Sequence, residues 1–195
     1  SDIAALEPPE NRMSGRSGPY RLLILGGSQG ARVLNETLPG ALALLEPENQ
    51  PFVHHQAGRN KAETTARAYR EAGLKAEVVP FIEDMAAAYA WADLLVCRAG
   101  ALTIAEVAAA GVAAILVPYP HAVDDHQTKN ARYLTDAGAA LLLPQSEMSA
   151  GSLARLLDTL MGNRKKTLEM AIAARRLALP EATLRLADIC EEVAR

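Results

Sequence analysis

What this chain has little of narrows its function first. Positive charge is not in excess: 20 Lys and Arg stand against 23 Asp and Glu, a net charge of −3. No basic bias therefore points to nucleic acid. No apolar run approaches the roughly 20 residues that span a bilayer, and no basic-then-apolar leader precedes the first strand. Cysteine is nearly absent. Cys97 and Cys190 lie far apart, each in an apolar or helical pattern, and read as two buried free thiols in a reducing cytoplasm. The histidines His54, His55, His121 and His126 show no HExxH and no cysteine partner at metal spacing, so no metal site is expected. Only 4% of the residues are aromatic, although half are apolar. A chain of 195 residues carries one substantial core and is short for two full-sized domains. Its first methionine is Met13, inside a polar stretch. That suits a piece cut from a longer polypeptide at a linker, or a processed terminus.

What is present alternates. Residues 1–20, with Pro8-Pro9, Gly15, Gly18 and Pro19, suit a linker or extended arm. Arg21–Leu25 is apolar after its first residue and ends in Gly26-Gly27, the pattern of a parallel strand buried on both faces. Further strands are read at Phe52–Gln56, Ala76–Phe81, Leu94–Cys97, Ala113–Val117 and Ala140–Leu143. Helices fall between them. They run from Ala31 to about Leu45 with a restart at Pro39, over Lys61–Ala72, over Ile82–Ala92 with Trp91 packed, over Leu102–Ala110 and over His126–Asp136. Three more follow at about 149–162, 164–177 and 181–194, with Gly162 and Pro180 as punctuation. This alternation predicts an α/β fold, a doubly wound parallel six-stranded Rossmann-like sheet with right-handed crossovers. Residues 21–195 form one domain in this reading, closed by helices from about residue 164.

Ligands of such sheets bind at the carboxyl ends of the strands, where strand order reverses. The unusual sequence sits in those loops: Gly26 to Gly30, Phe81 to Met85, Arg98 to Glu106, and His121 to Gln127. Gly26 to Gly30 is neither GxGxxG nor GxxxxGK[ST], which argues against a Walker-type nucleotidase. The second strand ends His55-Gln56-Ala57, without the acid that a dinucleotide dehydrogenase places on the ribose. Ala99 to Glu106 reads as a tight turn opening a helix, whose free amide groups and dipole favour an anion. Glu106, in the second turn, can accept from two sugar hydroxyls, and a phosphate site beside a diol acceptor suggests a nucleotide. The plainer reading is an ordinary βα turn whose Glu106 is solvated or caps its helix. Asp124 or Asp125 suits a helix cap. Gln127 is not explained by capping, and its amide can both donate to and accept from sugar hydroxyls.

These residues resemble a known family. Gly26-Gly27-Ser28-Gln29-Gly30-Ala31-Arg32, Phe81-Ile82-Glu83-Asp84-Met85 and Cys97-Arg98-Ala99-Gly100-Ala101-Leu102-Thr103-Ile104-Ala105-Glu106 are similar to the MurG family. So are Val117-Pro118 and His126-Gln127 through Asn130-Ala131. Members are GT-B glycosyltransferases that add N-acetylglucosamine to lipid I in peptidoglycan synthesis. The resemblance covers the whole chain but only the carboxyl-terminal, donor-binding half of the family. It implies that Ile82 reads uracil through its backbone, with Phe81 and Met85 shaping the nucleoside pocket, and that Glu106 holds the ribose. It further implies that Ser28 and the backbone of Ala101, Leu102 and Thr103 meet the diphosphate and that Arg98 supports that loop. Gln127 and His126 would contact the sugar, where the family often has glutamine in place of His126. UDP-GlcNAc is the implied donor, with no cofactor and no essential metal. Lipid I, the acceptor base and the cytoplasmic face of the inner membrane are reached through the other half. A UDP-sugar epimerase of the same fold and a stand-alone nucleotide-sugar-binding module are the alternatives. Leu184, Leu186 and Ile189 of the closing helix are expected to be partly exposed.

Overall fold

The computed structural model describes residues 2–27, 31–120, 125–182, 189, 190 and 192. Six strands pair in parallel: β1 (Arg21–Leu25), β2 (Phe52–Gln56), β3 (Glu77–Val79), β4 (Leu94–Cys97), β5 (Ala113–Leu116) and β6 (Ala140–Leu142). Their spatial order is β3-β2-β1-β4-β5-β6. The chain walks outward from β1 to β3, then crosses back to lay β4 beside β1, with Leu22 opposite Leu94 and Leu25 opposite Cys97. The doubly wound reading holds.

The helices are α1 (Pro9–Arg12), α2 (Arg32–Ala43), α3 (Ala62–Glu71), α4 (Met85–Trp91), α5 (Ala101–Ala110), α6 (His126–Thr135), α7 (Ala150–Met161) and α8 (Arg164–Arg176). Period-two alternation in the strands separates two apolar layers. Leu22, Ile24, Leu94, Val96 and Ile115 face α2 and α7, packing on Leu34, Leu38, Leu153 and Leu157. Leu23, Leu25, Leu95, Cys97 and Leu116 face the other way, onto Tyr89, Ile104, Val107 and Leu134 of α4, α5 and α6.

Three local readings differ from the structure. β3 stops at Val79, because it pairs with β2 alone and Pro80 has no N–H to extend the ladder. α2 runs unbroken through Pro39. The proline removes one helical N–H donor, but Pro39 is buried with Leu38 and Leu42, and packing carries the helix across. Cys97 is buried as expected, whereas Cys190 is exposed. Of the closing helix, Leu184 and Leu186 lie outside the described residues, and Ile189 is 55% exposed.

The amino-terminal arm is pinned along the domain. Its first turn, Ile3–Ala5, is capped by Asp2, whose carboxylate accepts from the Ala4 N–H, and Arg175 Nη2 donates to the carbonyls of Ala4 and Leu6. Arg12 donates to the carbonyls of Ala110 and Gly111 at 2.9 and 2.7 Å, sealing the carboxyl end of α5. Gly111 has φ 65°, and a Cβ there would sit 2.7 Å from Pro9 Cγ, so only glycine fits under the arm. Arg16 pairs with Asp93, whose side chain is 2% exposed, while Arg164 approaches the second carboxylate oxygen at 3.5 Å. The Arg21 N–H donates to that same oxygen. Asp93 thus joins the arm, β1, β4 and α8.

Beneath α2 lies a second buried polar cluster. His55 Nε2 meets Asn35 Oδ1 at 3.0 Å and His55 Nδ1 meets the Tyr69 hydroxyl at 3.0 Å. An amide oxygen only accepts, so Nε2 carries the proton and Nδ1 receives the phenol's. Burial, with His54 beside it, lowers the His55 pKa to about 3.

Two outcomes follow from these clusters. Asp93→Ala leaves two guanidinium groups without their buried counter-charge and lowers stability by about 3–5 kcal/mol in urea unfolding. Folding keeps His55 neutral, so the unfolded chain takes up its proton first. Stability therefore falls as pH drops below the ordinary histidine value of about 6.5, and denaturation midpoints measured from pH 7.5 to 4.5 show a steeper decline in the native chain than in His55→Leu.

Candidate functional site

Strand order reverses between β1 and β4, and the carboxyl ends of those strands open a cleft. The turn after β4 is its centre. Gly100 stands at the N-cap of α5 with no side-chain cap, and the first helical bond runs from the Ile104 N–H to the Gly100 carbonyl. The amides of Ala101, Leu102 and Thr103 precede that bond and have no partner within the helix. They point outward at the positive end of the helix dipole. The Leu102 side chain is 74% exposed.

Arg98 and α6 hold this turn in place. Arg98 Nη1 donates to the carbonyls of Val117 and Pro118 at 3.1 Å each, Nη2 donates to Gln145 Oε1 at 2.7 Å, and the guanidinium lies over the Tyr119 ring. One side chain therefore binds the loops after β4, β5 and β6 together. Half-burial lowers the Arg98 pKa from its ordinary value. From the first turn of α6, Gln127 Oε1 accepts from the amides of Tyr119 and Ala99 at 2.9 and 3.3 Å, and Asn130 donates to the Ala99 carbonyl. A cavity of about 510 Å³ is lined by Gly26, Arg32, Arg98, Tyr119, Gln127 and Gln145.

Glu106 lies on the other side of the turn. A groove of about 990 Å³ runs along the outer face of α5, with Ala101, Leu102 and Glu106 facing Lys129 and Tyr133 of α6 and Ile3 of the arm. Glu106 is half-buried, and its Oε2 accepts a hydrogen bond from the Tyr89 hydroxyl of α4 at 3.1 Å. Burial raises the Glu106 pKa above the usual carboxylate value, and the Tyr89 hydrogen bond opposes that rise. The buried Cys97 thiol is pushed up by desolvation and by the Glu106 charge.

The sequence-predicted residues thus divide. Arg98 and Gln127 line the cavity, while Ala101, Leu102 and Glu106 line the groove. Ile82 is buried in the same apolar layer as Tyr89 and Ile104, with Met85 packed against it and Phe81 57% exposed. Thr103 is partly buried and His126 exposed. Ser28 lies outside the described residues. Asp125 stands at the start of α6 but makes no side-chain cap; it accepts from the Thr128 hydroxyl instead. The backbone there is left-handed, with φ 52°, so capping does not account for Asp125. Sequence reasoning passed over Gln145, Tyr119 and Tyr89. For Tyr89 a signal existed, since a phenol in a buried alanine-rich helix needs a hydrogen-bond partner.

Residues 21–192 match the glycosyltransferase family 28 C-terminal domain. The chain is 55% identical over 194 residues to the UDP-N-acetylglucosamine--N-acetylmuramyl-(pentapeptide) pyrophosphoryl-undecaprenol N-acetylglucosamine transferase of Aromatoleum aromaticum, covering 100% of this chain and 54% of that protein. It is 61% identical over 175 residues to the protein of the same name from Azotobacter vinelandii, covering 90% and 49%. A crystal structure of Acinetobacter baumannii MurG superposes with TM-score 0.91 at 47% identity, over 98% of this chain and 55% of that one. WaaG, at 20% identity and TM-score 0.66, shares the fold. The chain spans about half the length of the curated relatives it matches.

Arg98 makes this half of the cleft depend on one side chain. Arg98→Lys removes the planar fork that serves two carbonyls and Gln145 at once, and costs about 1–3 kcal/mol of stability in urea unfolding.

Proposed function

The chain belongs to the glycosyltransferase family 28 C-terminal domain family, and on that premise we propose that it is the donor-binding half of an inverting hexosyltransferase. In this reading the full-length protein moves N-acetylglucosamine from UDP-GlcNAc to lipid I in peptidoglycan synthesis. One observation supports it most: α5 presents three amides without helical partners at its start and a half-buried carboxylate, Glu106, in its second turn. That pairs an anion site with a diol acceptor on one rigid element.

The assigned roles follow from this arrangement. The amides of Ala101, Leu102 and Thr103, with Ser28, receive the diphosphate. Glu106 accepts from the ribose hydroxyls, and the backbone of Ile82 meets the uracil edge beside Phe81 and Met85. Both lone pairs of Gln127 Oε1 are taken by backbone amides, so Gln127 reaches the sugar through its amide nitrogen. His126 stands beside it. Arg98 contacts no substrate and keeps the loops in register. In the reaction the muramoyl 4-hydroxyl attacks the anomeric carbon, the bond to the diphosphate breaks, and configuration inverts. Charge building on the departing diphosphate meets preorganised amides and the dipole of α5, which serve in place of a metal ion. The base that takes the acceptor proton belongs to the preceding half, as do the lipid I site and the contact with the cytoplasmic face of the inner membrane. This chain by itself binds donor and does not turn over.

Calorimetric titration with UDP-GlcNAc, UDP, ADP and NAD tests the reading. UDP-GlcNAc and UDP bind, ADP and NAD do not, and Glu106→Ala weakens the uridine ligands about tenfold or more, as expected for loss of charged hydrogen bonds. Equal binding of ADP and UDP, or no binding of either uridine ligand, overturns it.

A further inference from the structure

Among the buried polar groups of the described residues, one touches a residue of the groove, Glu106, and has no part in the roles assigned above. Tyr89 is fully buried in the apolar layer under α4 and α5, yet its hydroxyl reaches Glu106 Oε2 at 3.1 Å. A carboxylate has two oxygens and about four acceptor directions. The phenol occupies one direction on Oε2, and that bond fixes the rotation of the carboxylate plane. We propose that Tyr89 is the positioning residue for ribose recognition: it orients the carboxylate of Glu106, so that the other oxygen and the remaining lone pairs face the diol.

The location of the pair supports this. Tyr89 and Glu106 come from neighbouring helices that pack against each other, and each helix follows a loop with other residues of the site, Ile82 and Arg98. Burial drives Glu106 toward its neutral form, which would donate one proton where the diol needs acceptors; the Tyr89 hydrogen bond acts against that protonation. The remaining titratable groups around Glu106 are Cys97 beneath it and Asp2, Lys129, Tyr133 and Arg175 along the groove. Among the described residues no hydrogen bond joins any of these to the carboxylate, so the phenol is the partner through which its orientation is set.

This inference rests on the ribose role of Glu106, and the experiment separates the two. Tyr89→Phe keeps the ring in its apolar layer and removes only the hydroxyl. UDP and 2′,3′-dideoxyuridine 5′-diphosphate are titrated into the native chain, Tyr89→Phe, Glu106→Ala and the double variant, from pH 5 to 8. Tyr89→Phe weakens UDP about fivefold to tenfold at pH 7, leaves the dideoxy ligand unchanged, and has no further effect once Glu106 is alanine. Acid weakens UDP binding to the native chain as Glu106 takes up its proton, and the midpoint of that loss moves to higher pH in Tyr89→Phe. Equal losses for the two ligands, an undiminished effect in the Glu106→Ala background, or an unmoved midpoint overturns the positioning role and leaves the ribose role intact. A Glu106→Ala chain that binds UDP as tightly as the native one removes the ribose role itself, and the role of Tyr89 with it.

Discussion

A parallel sheet covered on both faces confines the polar chemistry of its central strands to their ends. Each of the central strands β1, β4 and β5 is apolar on both sides, and a charge placed within them would face desolvation without a partner. The side chains that join distant parts of this chain therefore gather at the two rims. At the amino ends, Asp93 collects Arg16, Arg164 and the Arg21 amide. At the carboxyl ends, Arg98 collects the loops after β5 and β6. The first rim closes the structure and the second leaves a cleft.

α5 connects the rims and has opposite treatment at its two ends. Its carboxyl end is sealed: Gly111 turns left-handed under Pro9, and Arg12 takes the last carbonyls. Its amino end is left without a side-chain cap. An uncapped amino end projecting into a cleft is costly for folding alone and useful for holding an anion. Glu106 shows the same tension, since half-burial raises its pKa while the proposed ligand needs it charged. The buried hydroxyl of Tyr89 relieves part of that tension from the core side.

Much of this was legible in the residues. The strands at Arg21–Leu25 and Leu94–Cys97 have the boundaries their apolar runs suggested, because strands buried on both faces need uninterrupted apolar sequence, and Phe52–Gln56 also has its expected bounds. Alternation of strand and helix indicated the doubly wound order, and glycine-rich or polar loops marked the functional rim. Where local rules failed, packing outweighed propensity: Pro39 is carried inside α2 by buried neighbours. Asp125 holds the N-cap position of α6, but its carboxylate accepts from the Thr128 hydroxyl rather than from a backbone amide.

The sequence by itself determined the fold class, the loops that form the cleft and the exposed start of α5, since these depend on periodicity and on residues close together in the chain. Only the tertiary structure decided which distant groups meet. The pairing of Tyr89 with Glu106 across 17 positions, the reach of Arg98 to Gln145 across 47 and the latch of Arg12 on Gly111 across 99 are of this kind. The reason is physical. A hydrogen bond is directional and works within about 3 Å, and no pattern along one chain states which two side chains the packing of separate helices will bring within that distance.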